Sequence, residues 1–439
     1  MTPVRTALTA VMRPTGLLIL PALAALPVLL FSAFVPPWLP PVAAALVAAV
    51  GALAAWRGRR MLGHTPADWP LLLLLLTLPV GLWASADRSA TLPRTYAFVA
   101  DIAIFYIVTA LAAALPAARW PRWAAWALIL GGLALAAAFL LGTQFATNKL
   151  PFIDRRVYQA LPGGLRPFWN PRGFSPNLAG GLLGMFLPPA LMLALHARGW
   201  PLRIVAGAAS LILAAMMVLA QSRGALIGAA VALPLITVLA DRRWLFVWAA
   251  VVVAILVALA LPGSPGPADL QNLVNAALGG NGTLSEAGFS GRVELWSRAL
   301  YIIQDFPFTG VGMGMFEPVV RLLYPLFSIG PDVQFEHAHN IFLQAGLEMG
   351  LPGLIGHLAL YMVLGALLAR QAWASRAARR GDQPRPLTAV LALGLLGALT
   401  VFLVHGLFDL LTYATRAAIV IWALFGLMLA VGLASHETG

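Results

Sequence analysis

Long uncharged apolar runs restrict the fold of this chain more than any other feature of its sequence. Three examples are LLLLLLTLPVGLWASA, WAAWALILGGLALAAAFLLGT and LFVWAAVVVAILVALALP. A helix rises about 1.5 Å per residue, so about 20 such residues cross a hydrocarbon core of roughly 30 Å. Of the chain, 61% is hydrophobic and 10% is charged, whereas roughly a quarter of a soluble domain is charged. The sequence therefore predicts an all-α integral membrane protein.

Apolar runs between turn and charge signals predict about 12 transmembrane helices. They lie near residues 16–34, 38–56, 68–85, 96–115, 123–143, 176–197, 203–221, 224–240, 245–262, 351–369, 387–405 and 417–434. The first run is not followed by a small-residue cleavage junction, so no cleavable signal peptide is expected.

The distribution of arginine predicts how these spans are oriented. With the N-terminus inside, the inner loops are short and basic, as the positive-inside rule requires. These loops are residues 57–60, 118–123, 198–203, 241–243 and 370–386. Both termini are then cytoplasmic, and two long loops lie outside. The predicted organisation is nine spans in 1–262 with an outer loop at 144–175, a large outer loop at 263–350, and three spans with a cytoplasmic tail in 351–439.

Charge, cysteine count and missing motifs exclude several classes of function. The formal net charge is +12, but the arginines are spread over loops without a basic stripe, so no nucleic-acid partner is expected. The absence of cysteine excludes disulfides and thiolate metal sites. There is no nucleotide-binding loop of the Walker or dinucleotide type. Any group transfer must therefore use an activated donor that is available on the outer side.

The large outer loop contains a segment that changes from Gly/Pro-rich to helical. The run RVELWSRALYIIQDF places Val293, Trp296, Leu300 and Ile303 on one stripe, which predicts an amphipathic interfacial helix. The run PFTGVGMGMF then ends it with proline and glycines.

Three arginines on the predicted outer side are candidates for binding an anion. Arg223, in LAQSRGALIG, lies between two apolar runs and is either a residue of a tight turn that reaches the headgroups or a cation at a cavity floor, with Gly224 allowing close approach. Arg172 and Arg292 flank helix starts, which themselves attract anions. Converging arginines would suit a pyrophosphate, because their planar guanidinium groups bind it in a bidentate manner.

The run FEHAHNIFLQAGLEMG contains the strongest candidate for acid–base chemistry. His337 and His339 precede an apolar helix for which Asn340 is a suitable N-cap. Imidazole is the usual general base near neutral pH, although one histidine bonding the backbone and one exposed histidine is the alternative. A zinc site would need a third ligand that the sequence does not identify.

Other titratable residues in apolar surroundings remain open. Glu336 and Glu348 are weaker candidates for proton transfer. His405 and Asp409, four residues apart in HGLFDLLTY, form either a polar pair facing the bundle or an interfacial pair.

Four motifs in succession identify a family. The order NPRGFSPNLAGGLL, LAQSRGALIG, GRVELWSRALYIIQDFPFTGVGMGMF and HAHNIFLQAGLEMGLPGLIG resembles the O-antigen ligase and polymerase superfamily of the bacterial inner membrane. The likeness spans roughly residues 168 to 360 and is closest to the ligases. It implies a GT-C-like fold of many spans, with the active site on the periplasmic side.

The resemblance also implies a reaction and the residues that perform it. O-antigen would pass from undecaprenyl pyrophosphate to lipid A–core oligosaccharide with inversion, without cofactor or metal. His337, His339, Arg223 and Arg292 are the implied catalytic residues; a histidine takes the acceptor proton and the arginines stabilise the pyrophosphate. The expected substrate-binding residues are Arg172, Asn177, Arg298 and Asn340. Arg172 departs from the neutral residue expected in that segment.

Three alternatives remain open at this point. An O-antigen polymerase would perform the same chemistry on a carrier-linked acceptor, and a protein O-oligosaccharyltransferase would use a serine or threonine. A transporter or flippase would show repeated halves and midplane polar residues. The candidate polar residues cluster instead at one predicted face, which favours an enzyme.

Overall fold

The fold is known from a computed structural model that describes residues 64–145, 154–161, 173–261, 289–377, 385–412 and 417–434. The first two predicted spans and Arg172 lie outside these ranges. The described residues form thirteen helices, which we number in chain order. They are α1 Asp68–Ala84, α2 Arg88–Ala114, α3 Trp120–Gly142, α4 Arg155–Gln159, α5 Pro176–His196, α6 Trp200–Leu219, α7 Arg223–Ala240, α8 Trp244–Ala260, α9 Phe289–Asp305, α10 Phe316–Leu323, α11 Ile341–Ala377, α12 Leu387–His405 and α13 Ala418–Leu433.

Several long helices agree closely with the spans predicted from hydropathy, whereas α2 and α11 begin well before theirs. Helix α12 has the predicted bounds, and α5 and α7 begin or end within a residue of theirs. Seven helices of the described residues are long and apolar enough to cross a membrane, and α1, α8 and α13 are shorter apolar helices. The chain is therefore a multi-pass membrane protein.

Helix α5 occupies the centre of the bundle, where it packs against α3, α6, α7 and α12. Its contact with α12 depends on small residues. A Cβ at Gly394 would come within 3.1 Å of the backbone nitrogen of Pro189, and one at Gly397 would strike Pro188. Glycines let two backbones approach closely, which is how helices associate where lipid supplies no hydrophobic driving force. Close packing on α12 thus holds the second half of α5, around Pro188 and Pro189, in place.

Helix α11 begins at Ile341, well before the span predicted at 351–369, because the segment IFLQAGLEMG is also helical. A kink at Gly350, with φ of +67° and ψ of −177°, separates this first part from the rest. Pro352 has no N–H for the carbonyl of Glu348, so that carbonyl is available to another segment. The N–H of Gly312 donates to it over 3.1 Å, and the N–H of Val311 donates to the carbonyl of Leu347 over 2.8 Å.

The glycine run GVGMG is therefore a fixed loop docked on the kink of α11. Gly310, Gly312 and Gly314 all have positive φ, at +60°, +92° and +77°. A Cβ at Gly314 would overlap the guanidinium group of Arg94 on α2. The glycines that follow the predicted interfacial helix are thus required both for the left-handed backbone conformation and for the close approach of Arg94.

Gly314→Ala is expected to lower the thermal unfolding midpoint of the detergent-solubilised protein. The left-handed conformation costs a side-chain-bearing residue about 1–2 kcal/mol, and the methyl group must also displace Arg94. Gly330→Ala is the matched control, since the nearest atom to its Cβ would be 3.8 Å away. Equal midpoints for the two variants would contradict this assignment.

Helix α9 is present where it was predicted, but its charged side faces the protein. Leu295, Ala299 and Ile302 are buried, together with the ion pair of Glu294 and Arg298. From the predicted apolar stripe, Val293 is 45% exposed and Leu300 is 49% exposed. The other two residues of that stripe, Trp296 and Ile303, are half-buried, so only part of the stripe is exposed in the way that a helix lying in the interface requires.

Candidate functional site

A small cavity of about 30 Å³ forms where the starts of three helices meet the end of a fourth. Helices α5, α7 and α9 begin there, and α12 ends there. The lining residues are Asn177, Ser222, Arg223, Gly224, Arg292, His405, Phe408 and Asp409. The predicted site residues Asn177, Arg223 and Arg292 are thus together.

The cavity is suited to an anion. It contains the guanidinium groups of Arg223 and Arg292, and neither α5 nor α7 has a side-chain hydrogen bond from its N-cap residue. The first N–H groups of a helix are unsatisfied within the helix and carry partial positive charge. Among the described residues, the Nε of Arg292 and the Oγ of Ser222 have no hydrogen-bond partner. An anionic ligand would satisfy these donors and neutralise the two cations.

The ring of His405 is wedged between α5 and α7. A Cβ at Gly181 would lie 2.8 Å from its Nε2, and one at Gly224 would lie 2.9 Å from its Nδ1. Gly224 does allow a close approach, as predicted, but the approaching group is this imidazole. The side chain is buried, and neither ring nitrogen has a hydrogen-bond partner in the described part of the chain. Of the two alternatives for His405 and Asp409, the structure supports the one in which they face the bundle, since both are buried and line the cavity.

His339 pairs with Asp409 at the edge of this cavity. The His339 Nδ1 lies 3.1 Å from Asp409 Oδ1, and the two side chains are 14% and 10% exposed. A carboxylate on Nδ1 fixes the orientation of an imidazole, stabilises its protonated form, and leaves Nε2 for proton exchange. Because 70 positions separate these residues, the motif around His339 gave no signal for its partner.

His337 packs edge-on against His339 and differs from it chemically. The ring centroids are 4.3 Å apart and the ring planes are inclined at 73°. The backbone N–H of His339 donates to His337 Nδ1 over 3.3 Å. Desolvation, together with the charges of His339 and Arg292, lowers the pKa of His337 to about 3 although Asp409 opposes the shift. His337 is therefore neutral at neutral pH. It accepts a backbone hydrogen bond and is too weakly basic to hold a proton there.

Asp409 remains a carboxylate in this environment. Burial alone would raise its pKa, but the hydrogen bond from His339 and the electrostatic interactions with the imidazoles of His339, His337 and His405 hold the pKa of Asp409 well below its usual range. The N–H of Leu410 also donates to Asp409 Oδ1 over 2.8 Å. The site thus keeps one anionic partner for His339 across the pH range in which a histidine base functions.

Asn340 is confirmed as the N-cap of α11. Its Oδ1 accepts hydrogen bonds from the N–H groups of Phe342 and Leu343, over 2.9 and 3.0 Å. Its Nδ2 donates to the carbonyl of Leu407 over 3.2 Å. The predicted role of Asn340 in substrate binding stays a prediction; its described contacts join the histidine segment to the turn that carries Asp409.

Arg298 lies away from the cavity lining, in a network of its own. Its Nε donates to the carbonyl of Pro325 over 2.8 Å, and its Nη2 is 3.2 Å from Glu294 Oε1. Glu294 also accepts from the N–H groups of Phe327, Ser328 and Ile329. This geometry supports a structural role for Arg298, and its predicted contact with substrate stays a prediction.

The histidine pair and Asp409 also form a possible set of metal ligands. One donor atom from each of His337, His339 and Asp409 lies within 4.8 Å of the others. Asp409 would be the third ligand of such a site, which the sequence alone does not identify. The two arginines of the adjoining cavity disfavour a metal cation between these three residues, because like charges repel each other across a poorly screened site.

Taken together, the fold and the site define a multi-pass membrane protein with a cationic cavity and a histidine–aspartate pair at one end of its bundle. Residues 208–358 match the family model described as O-Antigen ligase. The match covers 151 of the 439 residues and supports an O-antigen ligase and polymerase superfamily member with glycosyltransferase-like activity. The matched segment includes Arg223, Arg292, His337 and His339. No curated protein gives a significant match to the chain.

Proposed function

We propose that this protein is an O-antigen ligase of the bacterial inner membrane. It would transfer O-antigen from undecaprenyl pyrophosphate to lipid A–core oligosaccharide at the periplasmic face. The observation that carries the proposal is that the His339–Asp409 pair adjoins the cavity that holds Arg223 and Arg292. A base and an anion site side by side are what a glycosyl transfer from a pyrophosphate donor requires.

The proposed reaction is a single displacement with inversion. The Nε2 of His339 takes the proton of the acceptor hydroxyl while that oxygen attacks the anomeric carbon of the donor. The bond between that carbon and the pyrophosphate oxygen breaks, and its electron pair leaves with the pyrophosphate. Asp409 stabilises the resulting imidazolium, and Arg223 and Arg292 stabilise the charge that develops on the leaving group. The products are the capped core and undecaprenyl pyrophosphate, and His339 then releases its proton.

We assign the role of general base to His339 rather than His337. Asp409 contacts the former directly, over 3.1 Å. The lowered pKa of His337 means that it would hold a proton only at strongly acidic pH. The structure also gives His337 a different use, as the acceptor for the His339 N–H.

Analysis of lipopolysaccharide from a deletion strain tests the proposal. A strain that lacks this protein is expected to retain polymerised O-antigen on its carrier and to leave the core uncapped. Re-expression of the wild-type chain should restore the capped ladder. Cores with a single O-antigen repeat would instead identify a polymerase, and an unchanged ladder would contradict both.

An assay with purified components tests whether the same reaction requires a metal ion. Transfer from a lipid-linked donor is expected to survive chelator treatment, because the fixed cations Arg223 and Arg292 take the place of a divalent ion. Loss of transfer on chelation, with recovery on adding a divalent metal, would assign His337, His339 and Asp409 to a metal site instead.

A further inference from the structure

Glu348 is a buried acidic residue that the proposed reaction does not use. It lies in the first part of α11, before the kink, and is 3% exposed. Its Oε1 accepts a hydrogen bond from the N–H of Gly314 over 2.7 Å and another from Nε2 of Gln344 over 2.8 Å. A buried carboxylate with two donors of this kind is a fixed point of the structure.

Gln344 extends this contact to the histidine segment. Its Oε1 accepts from the N–H of Ala338 over 2.8 Å, and both residues are buried. Ala338 is the residue between His337 and His339. A chain of three hydrogen bonds therefore runs from the glycine loop at Gly314 through Glu348 and Gln344 to the backbone between the two histidines.

The backbone of the histidine segment needs such support. His339 has a φ of +50°, which is uncommon for a residue with a side chain. Such a conformation persists only when its surroundings impose it. Asp409 holds the imidazole of His339, and Gln344 holds the backbone N–H of the preceding residue, Ala338.

The glycine loop is a rigid base for this chain. It is bound to α11 by the backbone hydrogen bonds of Val311 and Gly312, and the N–H of Leu351 donates to the carbonyl of Pro307 over 2.7 Å. Arg94 fills the space beside Gly314. A displacement of the loop would therefore reach the amide of Ala338 through only two side chains.

We propose that Gln344 and Glu348 are positioning residues that hold His339 in its working orientation by tying Ala338 to the glycine loop. The effect on transfer rests on the proposed function, whereas the effect on the backbone does not. Neither side chain lines the cavity. Both act through the histidine segment, so their loss should lower kcat and leave the KM for the donor nearly unchanged.

Exchanging the amide and the carboxylate tests the proposal. Gln344→Glu removes a donor and sets two carboxylates against each other, and we expect kcat to fall about 10–100-fold, as for a lost buried bond to a charged group of 1.5–3 kcal/mol. Glu348→Gln retains an acceptor oxygen and should have a small effect. The double variant restores a donor–acceptor pair between the two side chains and should recover most of the rate. Gln304→Glu, at an exposed position of α9, is the control and should match the wild type.

Hydrogen–deuterium exchange of peptides that cover residues 335–343 reads the backbone without relying on activity. Exchange should be slow in the wild type, faster in Gln344→Glu, and slow again in the double variant. If a folded Gln344→Glu variant showed unchanged exchange and unchanged kcat, the proposal would be overturned. A folded double variant that recovered neither kcat nor slow exchange would overturn it too. If the wild type transfers no glycan but exchange follows this pattern, the proposed function fails and the positioning role stands.

Discussion

His339→Ala is expected to reduce the rate of glycan transfer by about 10²–10⁴-fold, the usual contribution of a general base. The substitution removes the imidazole that would take the acceptor proton. Asp409→Asn should approach this loss, because an amide neither stabilises the imidazolium nor fixes the tautomer with hydrogen on Nδ1. Both should leave the KM for the lipid-linked donor nearly unchanged. The measurement is kcat with purified donor and acceptor, alongside the thermal midpoint of each variant.

Two other histidines provide comparisons for this loss. His337→Ala should lower transfer less than His339→Ala, since it removes the acceptor for one backbone N–H while the base remains. His64→Ala should match the wild type, because that side chain is 82% exposed and its ion pair with Asp68 contributes little. A folded His339→Ala variant with full activity would reject the base assignment. A larger loss at His337 than at His339 would transfer that assignment to His337.

The helices were predictable because each depends on local sequence. Uncharged runs gave the bounds of α5 and α12, and an asparagine before an apolar run gave the N-cap of α11. The tight connection before Arg223 was also evident, since LAQSRG leaves no room for a loop. Helix α11 was the exception. Its start after Asn340 was expected, but its first part carries a glutamate and ends at a glycine, so that part fell outside the predicted apolar span. The carbonyls at its kink accept hydrogen bonds from Val311 and Gly312 of the glycine run.

The site was predictable only as separate motifs. Each of Asn177, Arg223, Arg292 and His339 lies near a helix start that the sequence marks, which is why the four were found. Their partners come from elsewhere in the chain. Asp409 meets His339 only because α12 ends beside the start of α11, and His405 meets Gly181 and Gly224 only because α5, α7 and α12 pack closely. Such pairings follow from tertiary packing, and a single sequence does not contain them as a local pattern.

Substitutions of the two cavity arginines, Arg223 and Arg292, are expected to have the other large effect on transfer. Arg223→Lys and Arg292→Lys should each lower kcat about 10–100-fold, because lysine keeps the charge but loses the planar pair of donors. A hydrogen bond to a charged group is worth about 1.5–3 kcal/mol, which sets this range. The loss should be greater in kcat than in donor affinity, since negative charge on the pyrophosphate grows as its bond to the sugar breaks.

The double variant distinguishes a shared ligand from two separate roles. If Arg223 and Arg292 hold one pyrophosphate, their effects are coupled and the combined loss differs from the product of the single losses. Arg203→Lys, an exposed arginine of α6, controls for the substitution itself and should match the wild type. Inorganic pyrophosphate should inhibit the wild type and inhibit each cavity variant more weakly. Equal inhibition of all variants would show that the cavity does not bind the leaving group, and the arginines would then belong to the fold alone.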